Sequence, residues 1–321
     1  MQLLPQVDIL LSIYKPNLNW LKELLESLNK QTYTNTKVII WNDCPDDEFD
    51  YLQIFDNYLT NIKFDYIKAE RNCGATKAFE NLIRISKAEY IAFCDQDDIW
   101  LSNKIELMMN KILMDKTDLV CCDMCVIDKN GNKIADSITQ IRPKQKFYLG
   151  ENLFQHILIN NYVYGCACLI KKDMLKKSLP FPEGYYHDWW CALYISAYGK
   201  FSIILQPLIK YRIHGSNQTG FLNGIETKKD YYKNKIYNYN LRMVNAKKIF
   251  IEENFKSVLI PFFNYSEARK DYYLNTNYKN LKLLFSMRNM NLRTTIFEIF
   301  LPIMPEFLFK YLIKFLKLLK R

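Results

Sequence analysis

The 321-residue chain is poor in the residues that interrupt regular structure, with 9 glycines and 10 prolines. That scarcity excludes a linker-dominated or low-complexity chain. With 23 Tyr, 20 Phe and a hydrophobic fraction of 49%, the composition demands a packed fold with a sizeable core. Cysteine is absent outside Cys44 to Cys191, and the nine within that stretch mostly sit in apolar runs, where a free thiol behaves as a small hydrophobe. Cys121, Cys122 and Cys125 contain a C-x-x-C. No second Cys/His pair stands at finger-like spacing, however, and Leu119–Ile127 reads as a strand, which argues against zinc. The start Met1-Gln2-Leu3-Leu4-Pro5 lacks the charged opening and long apolar core of a secretory signal. A reduced, cytoplasmic setting is therefore expected. No internal repeat and no nucleic-acid-binding motif is present, so nucleic acid is not an expected partner.

What the chain has in excess is positive charge, and it is confined to one end. The net charge is +10, yet residues 221–321 hold 19 Lys and Arg against 8 Asp and Glu, whereas the first 220 hold 25 against 26. A basic tail points to an anionic surface. Phe307–Arg321 spaces Lys310, Lys314, Lys317 and Arg321 at four, three and four residues among Phe, Leu and Ile. Such a basic amphipathic helix suits peripheral contact with an anionic membrane interface, and equally suits packing on the rest of the molecule with its lysines solvated. The longest uncharged run there, Ile299–Pro305, falls far short of the ~20 residues of a spanning helix.

The first 125 residues alternate strand and helix signals. Strands are expected at Val7–Ile13, Lys37–Trp41, Ile62–Ile67 and Tyr90–Cys94, with helices over Asn19–Asn29, Phe49–Leu59 and Ala75–Ser86. This rhythm implies a mostly parallel sheet covered by helices, with ligands at the carboxyl ends of its strands. Farther on, a helix is expected around Gly150–Ile159, a short strand near Cys166–Ile170 and a helix from Asp188 to Tyr198. Beyond Gly220 the chain turns helical, basic and rich in Tyr and Asn, which sets an expected boundary between domains 1–220 and 221–321.

The densest chemistry lies in Asp95-Gln96-Asp97-Asp98, directly after the buried strand Tyr90–Cys94. Carboxylates crowded at a strand end repel one another and raise each other's pKa, so a divalent cation is the natural compensation. Hard oxygen ligands in an Asp-x-Asp arrangement suit Mg²⁺ or Mn²⁺. A loop and helix cap, with Asp98 preceding a helix through Met114, is the plainer alternative. Capping, however, needs one acid.

Five segments in chain order resemble the family 2 glycosyltransferases of GT-A fold, and most closely their rhamnosyltransferase-like branch. The resemblance covers roughly residues 5–220. Ser12-Ile13-Tyr14-Lys15-Pro16-Asn17 is similar to the family's opening nucleotide loop, which would put Tyr14 near the base or ribose. Trp41-Asn42-Asp43 resembles the acidic strand end that meets the pyrimidine, with Asn42 departing from the family's second acid. Arg71-Asn72-Cys73-Gly74 resembles the Asn-x-Gly turn facing phosphate or ribose, which gives donor roles to Asn72 and Gly74. In the acidic motif the resemblance puts Asp95 near the ribose and makes Asp97, with Asp98, a metal ligand. In Tyr186-His187-Asp188-Trp189-Trp190 it makes Asp188 the general base, and His187 matches the rhamnosyl branch. Two further stretches support the match. Val163-Tyr164-Gly165-Cys166-Ala167-Cys168 resembles the loop that lays Gly165 against the donor sugar. Tyr211-Arg212-Ile213-His214-Gly215-Ser216-Asn217 resembles the segment in which His214 touches metal or diphosphate.

The resemblance implies an inverting, metal-dependent transfer from a nucleoside-diphosphate sugar to a saccharide or lipid-linked acceptor in surface polysaccharide biosynthesis, without a covalent intermediate. dTDP-L-rhamnose leads among donors, and UDP-hexoses stay open. A non-catalytic nucleotide- or carbohydrate-binding protein of the same fold is the first rival. A nucleotidyltransferase is the second, but Ser12–Asn17 lacks the Gly-rich, Lys/Arg-bearing loop such enzymes carry.

Overall fold

A computed structural model describes residues 4–142, 145–150, 152–215, 222 and 224–318. The chain divides into two compact units, Met1–Phe181 with Tyr186–Gly215, and Pro182–Tyr185 with Ser216–Arg321. The expected boundary at 220 lies outside the described residues, as do Ser216 and Asn217 of the histidine segment and Arg321 of the tail.

The first unit is built on one nine-stranded sheet. Strands β1 (Val7–Ile13), β2 (Thr36–Asn42), β3 (Lys63–Lys68) and β4 (Tyr90–Cys94) are parallel, in the order β3-β2-β1-β4. Val7, Ile9, Leu10 and Leu11 are fully buried, as a strand covered on both faces requires, and the buried Asp8 between them accepts from Ser86 Oγ, Lys87 N and Ala88 N. The covering helices are α1 (Leu18–Asn29), α2 (Leu52–Tyr58) and α3 (Ala75–Ile85). Asn17 caps α1 through its side-chain oxygen, which accepts from Asn19 N at 3.0 Å and Trp20 N at 3.2 Å. Helix α2 begins three residues later than the apolar spacing suggests. Asp47 and Asp50 accept from the backbone N–H groups of Phe49 and Leu52, and these side-chain turns compete with the helix.

After the acidic loop come β5 (Ile99–Trp100), α4 (Lys104–Asp115), β6 (Leu119–Ile127), β7 (Lys133–Ala135), α5 (Ile138–Ile141) and α6 (Leu153–Ile159). A 3₁₀ turn at Gly165–Ala167 then leads into β8 (Cys168–Lys171), α7 (Lys172–Ser178), α8 (His187–Tyr198) and β9 (Phe201–Arg212). The sheet continues from β4 as β8-β6-β9-β5, with β8 antiparallel to both β4 and β6 and with β6 parallel to β9. The parallel arrangement read from the sequence therefore holds for the N-terminal half, and the second half is mixed. Three local expectations shift. The helix after Asp98 starts only at Lys104, because Ile99 and Trp100 pair with Lys210 and Ile209 as a strand. The helix expected from Gly150 starts at Leu153, after Asn152 in the left-handed region (φ 61°). The strand expected from Cys166 starts at Cys168, because the 3₁₀ turn occupies the preceding residues.

The second unit is helical, with α9 (Lys228–Tyr231), a π-helical turn at Tyr232–Tyr237, α10 (Asn238–Ile249), α11 (Glu253–Leu274), α12 (Tyr278–Ser286), α13 (Leu292–Phe300) and α14 (Glu306–Leu318). One of its clusters joins Leu301, Phe309 and Ile313 to Ile225, Tyr231 and Ile236. Inside the unit Arg269 and Glu298, both buried, form an ion pair at 2.5 Å. Among the described residues no helix is long and apolar enough to cross a membrane.

Candidate functional site

The carboxyl ends of β1, β2 and β4 carry Tyr14, Asp43 and Asp95 to Asp98, as parallel topology demands. The exposed Tyr14 is tied to the acidic loop by a reciprocal pair of bonds. Its N–H donates to Gln96 Oε1 at 2.8 Å, and Gln96 Nε2 donates to its carbonyl at 3.3 Å. Asp43 is buried and already well partnered. Its oxygens accept from Gly74 N at 2.8 Å, Cys73 N at 3.0 and 3.2 Å, and Trp41 Nε1 at 3.2 Å. Asp43 thus fastens the Arg71–Gly74 turn onto β2. Asn72 is exposed on that turn. Gly74 caps α3 at φ 77° and ψ 155°, a conformation open essentially to glycine alone.

Of the three acids of the loop, Asp95 and Asp98 converge and Asp97 turns toward His214. Asp98 is fully buried. Its Oδ1 accepts from Arg212 N at 2.9 Å, and its Oδ2 has no hydrogen-bond partner within 3.5 Å among the described residues. Asp97 is partly exposed, and its Oδ2 lies 2.6 Å from His214 Nε2. Asp95 stands within 4.8 Å, ligand atom to ligand atom, of Asp98 and the Cys166 thiol. Burial, and then the neighbouring acids, push the Asp95 and Asp98 carboxyls upward. Burial likewise pushes the Cys166 thiol well up, so it stays protonated beside them.

Asp188 joins this group from 93 residues farther along the chain. It sits in the first turn of α8, where its Oδ2 accepts from Gly165 N at 3.1 Å and its Oδ1 from Trp189 N at 2.6 Å. Burial pushes its carboxyl up to about 6, against the backbone N–H groups of Trp189, Gly165 and Asp188 itself, which favour the charged form. The Asp188 charge is in turn one of the causes that raise Asp95. Two adjacent residues splice the centres together. Gly165 holds Asp188 through its N–H, and Cys166 sets its thiol against Asp95 and Asp98. His187 faces inward. It stacks on Phe79 at 4.0 Å and meets Phe93 edge-on at 4.9 Å, and neither ring nitrogen has a hydrogen-bond partner among the described residues. Burial pulls it down to about 3, so it is a neutral ring at any working pH. A Cβ on Gly165 would stand 2.8 Å from His187 Nε2, so only glycine passes here.

Four residues without a role in the sequence reading organise the site. Gln96 clamps Tyr14. Arg212, at the end of β9, is 1% exposed. Beyond its backbone bond to Asp98, its Nε donates to Asp97 O at 2.9 Å, its Nη1 to Asp128 O at 3.3 Å, and its Nη2 pairs with Glu23. Lys104 lies beneath the loop with its Nζ 3.2 Å from the Trp100 ring centroid and donates to Cys166 O. Burial lowers its pKa. Cys166 is the fourth. Lys104 did leave a sequence signal, since it continues the apolar stripe of Met108 and Ile112 at a spacing of four. Arg212 left none, because its partners Glu23, Asp97 with Asp98, and Asp128 come from three separate segments.

A sheet with a parallel N-terminal half that presents grouped acids at its carboxyl edge, with a further carboxylate fixed opposite them, can hold a charged leaving group and deprotonate a hydroxyl. The comparisons agree with that chemistry. The sequence profile of Glycosyl transferase family 2 matches residues 9–179. "Uncharacterized glycosyltransferase RT0329" of Rickettsia typhi (strain ATCC VR-144 / Wilmington) is 30% identical over 234 residues, 69% of either chain. The Escherichia coli "UDP-Glc:alpha-D-GlcNAc-diphosphoundecaprenol beta-1,3-glucosyltransferase WfgD" is 26% identical over 217 residues, 65% of this chain and 79% of that one. The crystal structure of S. aureus TarS 1-349 in complex with UDP-GlcNAc matches with a TM-score of 0.62 at 16% identity, over 88% of this chain and 79% of that one. This last likeness shows the fold, which is GT-A; of a longer TarS chain the present one spans 48%. The family profile covers more than half of the chain, from within β1 through the acidic loop and the Gly165 turn to α7, and the chain therefore belongs to glycosyl transferase family 2.

Proposed function

We propose that this glycosyltransferase moves a hexose from a nucleoside-diphosphate sugar to a hydroxyl of a saccharide or lipid-linked acceptor, with inversion, in the building of a surface polysaccharide. The observation that carries the reading is the meeting of Asp188 with the Asp95–Asp98 loop across Gly165 and Cys166. In this reading the first unit is the catalytic domain. Asp188 is the general base. With its carboxyl near 6 it is ionised at neutral pH. Each oxygen keeps lone pairs beyond those given to Gly165 and Trp189, so it can take the acceptor's proton, an effect worth ~10²–10⁴-fold. The acceptor oxygen attacks the anomeric carbon as the bond to the diphosphate breaks on the opposite face.

The residues present fit a divalent cation. Asp98 Oδ2 is buried without a hydrogen-bond partner among the described residues, and burial and the neighbouring acids raise Asp95 and Asp98. Asp97 and Asp98, with Asp95 beside them, would hold Mg²⁺ or Mn²⁺, and His214 steadies Asp97. Such an ion supplies Lewis-acid stabilisation to the departing diphosphate. Tyr14, Asn72 and Gly74 line the nucleotide side, Gly165 the sugar side, and Asp43 serves by holding the Asn72 turn.

For the donor, the relatives favour a UDP-sugar, since WfgD is named for UDP-Glc and TarS is complexed with UDP-GlcNAc. The His187 that suggested dTDP-L-rhamnose stacks in the core on Phe79 and Phe93, where it supports no particular sugar. WfgD is named for a diphosphoundecaprenol-linked acceptor. An acceptor of that kind would bring the present enzyme to the inner face of the plasma membrane. The test is a panel of UDP- and dTDP-sugars with Mn²⁺ or Mg²⁺, following slow donor hydrolysis. Asp97→Ala should abolish metal-dependent hydrolysis, while Asp188→Asn should keep donor affinity and lose transfer. Hydrolysis indifferent to Asp97→Ala, or transfer surviving Asp188→Asn, would refute the assignment.

A further inference from the structure

Helix α14 is apolar on two opposite faces, and among the described residues only one of them is packed inward. Phe309 and Ile313 pack inward against Leu301, Ile225, Tyr231 and Ile236. About 180° around the helix, at a spacing of four residues, stand Phe307, Tyr311 and Phe315, with Phe307 76% and Tyr311 71% exposed. The preceding helix α13 repeats the pattern with Leu292, Ile296 and Phe300, all exposed, again four apart. A solvated helix face of a globular protein is ordinarily polar. Here lysine appears only along one flank, as the exposed Lys310 and Lys314. Lys317, which the sequence pattern placed with them, instead donates to Ile225 O at 2.8 Å.

We infer that the outer face of α13 and α14 is a docking surface for an anionic lipid bilayer, with the aromatic side chains inserting at the headgroup level and Lys310 and Lys314 meeting lipid phosphates. Aromatic residues with lysine beside them match the two layers of a membrane interface. Charge favours this occupant over a second copy of the chain. Glu298 is buried against Arg269, so the two helices expose Arg293, Lys310 and Lys314 against the single acid Glu306, and a self-complementary contact would bring like charges together. The inference rests on this surface alone and stands whichever donor the enzyme uses.

The test is co-sedimentation of the full chain with phosphatidylcholine vesicles, with and without phosphatidylglycerol. The protein should pellet with both and more strongly with the anionic lipid. The triple variant Phe307→Ser, Tyr311→Ser, Phe315→Ser should lose at least ~10-fold in partition to either vesicle, whereas Lys310→Gln with Lys314→Gln should lose ~10-fold on the anionic vesicles only. Because these side chains point outward, circular dichroism, melting temperature and donor hydrolysis should match the parent's. That match separates a failure here from a failure of the sugar-transfer reading. A parent protein that stays in the supernatant with both vesicles overturns the inference. So does a stable dimer by light scattering that the triple variant dissolves.

Discussion

Gly165→Ala is the sharpest perturbation the site allows, because one added methyl group meets a ring that cannot retreat. The new Cβ would lie 2.8 Å from His187 Nε2 and 3.5 Å from Asp188 Cβ, whereas ordinary contact begins near 3.4 Å. The His187 ring is held against Phe79 at 4.0 Å and Phe93 at 4.9 Å. The Gly165–Ala167 turn must therefore give way by about 0.6 Å, the difference between those limits. Overpacking of this kind costs roughly 1–3 kcal/mol of stability. The same shift pulls the Gly165 N–H off Asp188 and moves the Cys166 thiol relative to Asp95 and Asp98. Since a misplacement of ~1 Å can cost ~10²-fold in rate, kcat should fall by ~10–100-fold. The assay is transfer kinetics and thermal melting of Gly165→Ala, His187→Ala and the pair. Removing the ring makes room for the methyl, so the double variant should be far better than the sum of the single losses, with a coupling of ~1 kcal/mol or more. Wild-type turnover in Gly165→Ala, or strictly additive losses in the pair, would refute the steric argument.

Asp188 gives a pH signature. Its carboxyl near 6 must be ionised to accept a proton, so kcat/KM should rise with pH and level off above a midpoint near pH 6, and Asp188→Asn should abolish that limb along with transfer. Gln96→Ala cuts both bonds between the acidic loop and the Tyr14 loop at a half-buried position. Donor KM should rise several-fold, in line with ~0.5–1.5 kcal/mol per bond, with the melting temperature unchanged. Arg212→Met leaves the part-buried carbonyl of Asp97 without its side-chain donor, while Asp128 O keeps Gly131 N. Calorimetry should show a loss of about 1–3 kcal/mol, and Arg212→Lys should recover little because one ammonium cannot reproduce the guanidinium fork.

The N-terminal half of the fold was legible because its signals are local. Val7–Ile13, apolar apart from Asp8 and Ser12, and the apolar run Tyr90–Cys94 became strands with the expected ends. Strand β9 was not legible. Phe201–Arg212 contains Pro207, which argues against a central strand. The proline is accommodated where the β6–β9 register shifts, with Ile204 opposite Cys122 and Pro207 opposite Asp123. The acids stood out in the sequence because three in four residues is costly, but their orientations did not. Asp98 is turned inward by the backbone of Arg212, and the oxygens of Asp43 are taken up by a turn 30 residues away. Such non-local partners leave no periodicity to read.

The dependence of the acidic loop on β9 also orders events in time. Asp98 is held from Arg212, 114 residues downstream, and the family profile stops at residue 179. A nascent chain that has emerged only through α8 therefore carries β1 to β4 complete while Asp98 lacks the Arg212 N–H and Asp97 lacks the His214 ring. Competence arrives with the closing strand, and a fragment truncated at residue 200 would hold a sheet but no working centre.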